Sequence, residues 1–272
     1  MKRILLFSFV LMLPVGLYAQ SLHYLVKRVE TCIDSKWEQD ASGNTCLNYY
    51  NTDHCDYLRF QDNESKVLRP GKTTVYTRKK SELESAYKYG KNYYLYRGRF
   101  PKKDFNPFFV YALPLKDGKN LKWKLDTKEP KRTLMFKTEY QDTVYACRRG
   151  IACVSGDTKK GILIYHQDFS FAAYMNLSES FIVPGEEVMT GQPIGLASHE
   201  SVSLSVFFLD KNLFGEKYTV HPYTHIMPVF RTDKGDGRLE KGIDYKVVTD
   251  DDLIMSEMSK AEKKRFMKRS RK

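Results

Sequence analysis

The sequence lacks several patterns that would assign a chemistry at once. It has no C-x-x-C pair, which disfavours a cysteine zinc site, and no G-x-S-x-G turn of the kind that presents a nucleophilic serine. Its one long apolar run, Ile4 to Val15, is shorter than the ~20 residues that a transmembrane helix needs. No helical period exceeds a turn or two before the C-terminal tail. The pattern that remains is that of an antiparallel β protein.

Residues 1–20 have the layout of a signal peptide. Lys2 and Arg3 give a basic start, the apolar run follows, and Ala19 supplies a small residue near a cleavage point. No cysteine follows the apolar run closely, so a lipid anchor is not expected. We therefore expect an exported protein, periplasmic or extracellular, without a lipid or transmembrane anchor.

The five cysteines all lie in the part that would be exported, where an oxidising compartment permits disulfides. They are Cys32, Cys46, Cys55, Cys147 and Cys153. Pairing within the first three would close a short loop, and a loop of about 15 residues is worth roughly 3 kcal/mol. The last two flank a predicted hairpin, which favours neighbouring strands. We expect disulfides, but the odd number and the spacing leave their connectivity open.

The chain is strongly basic, with 45 Lys and Arg against 33 Asp and Glu, a net charge of +12. Removal of Lys2 and Arg3 leaves +10. Such a charge favours anionic partners, namely cell-wall polymers, lipopolysaccharide or an acidic protein face. Nucleic acid is not expected as a partner of an exported protein.

Alternating and turn-rich segments predict a β-rich accessory domain over residues 21–105. His23–Val29, Thr73–Thr77 and Asn92–Tyr96 alternate as strands do, and loops separate them. We expect a small β-sandwich-like domain, held partly by its cysteines, with no recognisable chemistry of its own.

A second β domain is predicted over residues 106–249. Val144–Val154 indicates two strands about a tight Arg149–Gly150 turn, and Ser201–Phe208 alternates as a further strand. Ile226–Thr232 predicts another strand, in which Pro228 indicates an edge or a bulge.

Residues 250–272 form a basic tail. Ser259 to Glu262 fits a helix capping box, and from Lys260 onward there are eight Lys or Arg against one Glu. We expect a short basic helix, which is either a solvated terminus or an electrostatic tether to an anionic surface.

Three short motifs within the second domain carry a resemblance. They are Tyr174-Met-Asn-Leu-Ser178, Val183-Pro-Gly-Glu-Glu-Val188 and Gly191-Gln-Pro-Ile-Gly-Leu196. Their order resembles the lysostaphin/LytM-type zinc endopeptidases, which cut peptide crosslinks in bacterial cell walls and carry Y-x-H-L-S, V-x-x-G-x-x-V and G-x-x-I-G. The resemblance spans residues 107–230. It implies an all-β protein, a LytM-like antiparallel sheet domain following the accessory domain.

The resemblance also implies a zinc site whose residues are replaced here. The family holds zinc with an H-x-x-x-D motif and the second His of H-x-H, and further histidines help to activate water. The Asp position falls on Met135, the Y-x-H-L-S histidine on Asn176, and the H-x-H pair on Ser203 and Ser205. A thioether and hydroxyls are poor ligands for zinc. We therefore expect no zinc, no other cofactor and no catalysis.

The first His of the zinc motif is also missing. Its position falls near Lys131, and the sequence has no histidine between His54 and His166. His166 matches a position where the family often has a non-catalytic histidine, so we expect a structural role for it.

The remaining histidines are weak candidates for replacement zinc ligands. His199 lies in a shortened loop near the expected groove, and His221 and His225 have the i,i+4 spacing that binds zinc on a helix. Pro222 and the β-rich run after it argue against a helix there.

The favoured hypothesis is a catalytically inactive LytM-like module that binds or regulates. Asn176, His199, Ser203 and Ser205 would line its groove, and its partner would be peptidoglycan or an envelope protein such as a wall hydrolase. One alternative is an active metalloendopeptidase with a relocated site, His199 with His221 or His225. Another is an adhesion or assembly protein that works through the N-terminal β domain.

Overall fold

The computed structural model describes residues 22–26, 29–61, 64–81, 93–126, 133–155, 161–198, 200–214 and 221–270. Within them the chain is mostly β-strand, as the alternation of the sequence predicts. The predicted signal peptide lies outside these residues.

The N-terminal module contains two three-stranded antiparallel sheets. Its strands are β1 (Ile33–Gln39), β2 (Thr45–Asn51), β3 (Tyr57–Gln61), β4 (Glu64–Leu68), β5 (Gly71–Arg78) and β6 (Tyr94–Arg97). The first sheet has the order β1-β2-β5 and the second β4-β3-β6. A helix, α1 (Leu22–Val26), and a 3-10 turn (Glu30–Cys32) precede them.

The C-terminal domain is built on one large antiparallel sheet with smaller sheets beside it. Its strands are β7 (Val110–Tyr111), β8 (Asn120–Leu121), β9 (Trp123–Asp126), β10 (Thr133–Lys137), β11 (Thr143–Tyr145), β12 (Gly150–Ala152), β13 (Gly161–Tyr165), β14 (Phe171–Met175), β15 (Leu177–Ser180), β16 (Glu187–Val188), β17 (Pro193–Ala197), β18 (Ser201–Leu209), β19 (Tyr223–Ile226), β20 (Val229–Thr232), β21 (Gly235–Gly237) and β22 (Tyr245–Lys246).

The large sheet has the order β16-β12-β13-β14-β18-β10-β9, and β19 also pairs with β18. The smaller sheets are β11-β17-β15, β21-β20-β7 and β22-β8. The pairing of β20 with β7 is parallel, which the sequence did not indicate. A 3-10 turn, Lys211–Leu213, follows β18.

Both faces of the large sheet are buried. Because side chains alternate along a strand, Tyr174 and Leu204 point to one face and join the core of the C-terminal domain. Ala173, Phe171 and Phe207 point to the opposite face, where they join a second core shared with the N-terminal module. Continuous burial of β13 and β14 follows from this arrangement.

Helix α1 overturns the prediction that His23–Val29 is a strand. Leu22, Leu25 and Val26 are buried, and their i, i+3, i+4 spacing places them on one face of a helix. That face packs against β13 and β14. The same residues satisfy a strand pattern over a short window, and packing onto the sheet selects the helix.

The predicted hairpin at Val144–Val154 is also wrong. Strand β11 pairs with β17, whereas β12 pairs with β13 and β16, so the two belong to different sheets. Cys147 and Cys153 consequently do not lie on adjacent strands. All five cysteines are buried free thiols in this structure.

The C-terminal part confirms some predictions and corrects another. Strand β18 covers the predicted strand Ser201–Phe208. The predicted strand Ile226–Thr232 is divided into β19 and β20 by Met227 and Pro228, because proline cannot donate a ladder hydrogen bond.

The basic tail is helical and held against the sheet domain. It forms α2 (Asp251–Ile254) and α3 (Lys260–Ser270). The predicted capping box is confirmed: Ser259 N donates to Glu262 Oε2 at 2.7 Å, and Glu262 N donates to Ser259 Oγ at 3.4 Å. Arg149 then pairs with Glu262 at 2.9 Å. None of the helices in the described part of the chain is long and apolar enough to cross a bilayer.

Candidate functional site

The sheet register brings three of the predicted site positions together. Met135 on β10 is directly opposite Ser203 on β18, and Ser203 is opposite Met175 at the end of β14. Directly paired residues point to the same face of a sheet. Met135 and Ser203 therefore lie side by side on the face that the N-terminal module approaches.

Asn176 lies at the corner where the chain leaves β14 and enters β15. Its φ is 64°, a left-handed conformation that asparagine tolerates better than most residues. Its Nδ2 donates to Ser203 Oγ at 3.1 Å, and its carbonyl accepts bonds from the N and Oγ of Ser198 at 2.9 and 2.8 Å. Asn176, Ser203 and Met135 thus form the cluster that the motif alignment predicts.

Ser205 begins a chain of hydrogen bonds on β18 and β19. Its Oγ lies 2.9 Å from His225 Nδ1, and His225 Nε2 lies 3.2 Å from His221 Nε2. The angle between the two imidazole planes is 14°, and the ring centroids are 5.5 Å apart. This centroid distance equals the distance between the two nitrogens plus one ring radius on each side. The rings therefore meet edge to edge, as an N–H···N hydrogen bond requires. As predicted, His221 and His225 are not on a helix.

Two of the expected groove residues are almost inaccessible. Ser203 is 5% exposed and Ser205 is 1% exposed, because the core shared with the N-terminal module covers their face of the sheet. Asn176 and Met135 remain half-buried. His199, the other expected groove residue, and Lys131 lie outside the described residues.

An open depression of about 320 Å³ lies beside this cluster, over β9, β10 and the start of β18. Its lining residues are Lys122, Trp123, Lys124, Met135, Lys137, Glu200 and Ser201. Lys124 pairs with Met135, and Lys137 pairs with Ser201, which places both lysines on the face that bears Met135. The accessible part of the site is therefore a lysine-lined depression, displaced toward the β9 edge.

The sequence analysis missed this depression, although a signal for it was present. Lys122 and Lys124 alternate with Leu121, Trp123 and Leu125, a pattern that places both lysines on one face of a strand. Without the pairing of β9 with β10, their approach to Met135 was not evident.

The described residues do not fit the zinc site of the family. Its ligand positions carry a thioether at Met135 and a buried hydroxyl at Ser205, which are poor donors for zinc. His221 and His225 supply two nitrogens without a third ligand among the described residues. Those residues bring three His, Cys, Asp or Glu groups within reach of one ion only at Asp53, Cys55 and Cys153, a cluster away from these positions.

His166 is a buried neutral imidazole. Burial and the nearby Arg148 cation lower the pKa of His166 to about 3, so its Nδ1 carries the proton and donates to the Arg149 carbonyl at 2.7 Å. Its Nε2 has no hydrogen-bond partner among the described residues. The contact ties the end of β13 to the start of β12.

No family model and no curated protein matches the sequence. Among solved structures, pseudoalterin, an M23 metalloprotease from the deep sea, is 15% identical; the match covers 52% of this chain and 75% of that one, with a TM-score of 0.30. A zinc-containing peptidase from Vibrio cholerae is 15% identical, with 60% and 52% covered and a TM-score of 0.28. Csd3 of Helicobacter pylori is 10% identical, with 84% and 57% covered and a TM-score of 0.31.

The chain resembles the M23, LytM-type peptidases. At such identities and TM-scores, however, the solved structures carry no information about activity, and the account of the site rests on the side chains of this chain.

Proposed function

We propose that this protein is an exported, catalytically inactive LytM-like module that binds peptidoglycan through the lysine-lined depression. The observation that supports the proposal is the cationic surface beside Met135, a residue that the motif alignment assigns to a metal-ligand position. Met135 occupies the expected carboxylate position and borders three lysines instead of a metal centre.

The side chains around Met135 argue against hydrolysis. Asn176, at the position of a catalytic histidine, is an amide that cannot take a proton from water. Its Nδ2 is already bonded to Ser203 Oγ. Ser203 and Ser205 are buried, so a substrate carbonyl has no path to either hydroxyl. No accessible nucleophile remains among Asn176, Ser203 and Ser205.

The depression has the size and charge for part of an anionic peptide. Its volume of about 320 Å³ lies at the lower end of ligand sites, which start at about 300 Å³. Lys122, Lys124 and Lys137 supply three cations against the single carboxylate of Glu200. Peptide stems of the cell wall carry free carboxylates, with which these lysines can form ion pairs. These features support peptidoglycan as the partner.

Co-sedimentation with isolated peptidoglycan tests this proposal. The variant Lys124→Glu/Lys137→Glu reverses two charges of the depression, and at up to about 1 kcal/mol per exposed ion pair we expect roughly tenfold weaker binding. The matched control Lys263→Glu/Lys264→Glu makes the same change of net charge on the exposed face of α3. Equal loss in both variants would show that binding follows net charge alone, and unchanged binding of the first variant would refute the depression as the site.

A relocated metallopeptidase is the second candidate, because His221 and His225 bring two imidazole nitrogens within 3.2 Å. This candidate predicts one zinc per chain after exposure to zinc and dialysis, and loss of that zinc in His225→Ala. The inactive module predicts no retained zinc in either protein. Elemental analysis of the two proteins separates the candidates.

A further inference from the structure

Two thiols from different parts of the fold meet under the large sheet. Cys55 lies between β2 and β3 of the N-terminal module, and Cys153 directly follows β12 of the C-terminal domain, 98 positions later in the sequence. Their sulfurs and a carboxylate oxygen of Asp53 all lie within 4.8 Å of one another. Cys55 is 0% exposed and Cys153 is 4% exposed.

The hydrogen bonds of Asp53 argue against a metal ion in this cluster. Its Oδ1 accepts from the backbone N–H groups of His54 and Val154, at 2.8 and 2.9 Å. Its Oδ2 accepts from the Tyr57 hydroxyl at 2.9 Å and from the Arg97 guanidinium at 2.5 Å. The carboxylate is therefore already occupied on both oxygens, and the buried Arg97 cation would repel a second cation. Two thiols remain without a metal to bind.

We propose that Cys55 and Cys153 form a disulfide that fastens the N-terminal module to the sheet domain. The two thiols lose two protons and two electrons as the S–S bond forms. A disulfide-bearing oxidant, such as an oxidised thiol–disulfide exchange protein or oxidised glutathione, accepts the electrons and leaves as two thiols. The sulfurs, which lie within 4.8 Å of each other, must close to about 2 Å.

The other cysteines have different surroundings. Cys147 lies in the core of the sheet domain, and Cys46 on β2 faces Thr77 at 3.5 Å. Cys32 is near enough to Cys55 for their charges to interact, which makes Cys32 the rival partner. The Cys55 and Cys153 sulfurs lie within 4.8 Å of each other, which favours Cys153.

The crosslink would act mainly on the unfolded chain. It closes a loop of almost 100 residues, and a loop of that length reduces the entropy of unfolding enough to raise Tm by roughly 10 °C. Because both sulfurs are buried, a reductant reaches the bond only when the two parts of the fold separate. The link is therefore expected to persist in the folded protein.

Peptide mapping of the full-length protein, recovered from the envelope or medium of the cells that express it, tests the proposal directly. Unreduced protein is unfolded in N-ethylmaleimide, digested and analysed by mass spectrometry. We expect one crosslinked peptide pair joining Cys55 to Cys153, and N-ethylmaleimide on Cys147. N-ethylmaleimide on both Cys55 and Cys153, or a Cys32–Cys55 pair, would overturn the proposal.

Variants supply a second readout. Cys153→Ser should lose the crosslink and the fall in Tm that reductant causes in the parent protein. Cys46→Ser, the matched control, should keep both. The prediction is refuted if reductant lowers the Tm of Cys153→Ser as much as that of the parent. Oxidised glutathione present while the reduced and unfolded protein refolds should restore the crosslink in the parent and in Cys46→Ser only.

Discussion

Replacement of Arg97 by methionine should destabilise the protein more than any ordinary surface change. The Arg97 side chain is 1% exposed and donates to the Asp53 carboxylate, to Leu25 O at 2.8 Å and to Val154 O. These contacts join β6 to α1 and to the sheet domain. Arg97→Met keeps the apolar stem, removes all of these bonds and leaves the Asp53 charge buried without its counter-ion.

The expected loss is about 3–5 kcal/mol, the usual cost of removing one partner from a buried ion pair. The lower end applies because Asp53 retains bonds from Tyr57 and from the N–H groups of His54 and Val154. At 2–4 °C per kcal/mol for a chain of this size, Tm should fall by roughly 10 °C. Urea unfolding followed by circular dichroism measures the change.

The pH dependence provides the sharper test. Burial raises the pKa of Asp53, but Arg97 and the backbone donors outweigh it and hold that pKa below its usual value. In the parent, Asp53 therefore contributes stability at neutral pH that is lost as the pH falls through this depressed pKa. In Arg97→Met only the burial and the remaining donors act, so the pKa of Asp53 rises and its neutral form becomes favoured.

The loss of unfolding free energy in Arg97→Met, relative to the parent, should consequently be smaller at pH 4 than at pH 7. At pH 7 the double variant Arg97→Met/Asp53→Asn should be more stable than Arg97→Met. A deficit below about 1 kcal/mol at pH 7, or one independent of pH, would refute the account of a buried ion pair. Lys36→Met is the control, because its exposed pair with Asp34 should contribute little.

Three further substitutions test local contacts. Tyr174→Phe removes the hydroxyl that accepts a 2.7 Å hydrogen bond from Cys147 N. The buried N–H is then unsatisfied, and urea unfolding should show a loss of about 1–3 kcal/mol. The control Tyr140→Phe, at the surface, should show no measurable loss. Asn176→Ala should cost about 1–2 kcal/mol because of the left-handed φ, and Asn176→Gly should cost less; equal losses would contradict the conformational argument. Glu262→Ala removes the capping box and the Arg149 pair, so amide exchange in α3 should accelerate, while Lys264→Ala should leave it unchanged.

Acid should release the same contact at the tail. Bonds from Arg149 and Ser259 lower the pKa of Glu262 to about 2. The contact is thus present at neutral pH and is lost only as the pH falls toward that value. Protection factors of the α3 amides, which correct for the intrinsic pH dependence of exchange, should fall between pH 7 and pH 2, and unchanged factors would contradict the contact.

The sequence predicted the parts of the fold that local signals determine. Alternation over Ser201–Phe208 identified strand β18. The motif alignment selected Met135 and Ser203 separately, and the structure places them opposite each other. Strand pairing is not local, so Val144–Val154 was interpreted as a hairpin although its two strands enter different sheets. The helix at Leu22–Val26 was missed because a short apolar pattern fits a strand equally well.

The state of the site was less predictable than its position. Alignment identified which residues replace the zinc ligands, but not that Ser203 and Ser205 are buried, since their cover comes from the distant N-terminal module. The proximity of Cys55 and Cys153 could not be predicted from the sequence for the same reason. Both depend on how two separately patterned regions pack.

The loss of metal ligands that we propose and the closure of the sheet face would be physically linked. A zinc ion with its bound water is charged and needs an open position, so a helix packed over it would impose a large desolvation cost. Serine hydroxyls avoid that desolvation cost when they form hydrogen bonds within the fold. Ser203 does so with Asn176, and Ser205 does so with His225. Leu25 can then pack over the neighbouring strands. On the described part of this face the β9 edge with its lysines stays accessible, and a ligand bound there would meet a cationic surface.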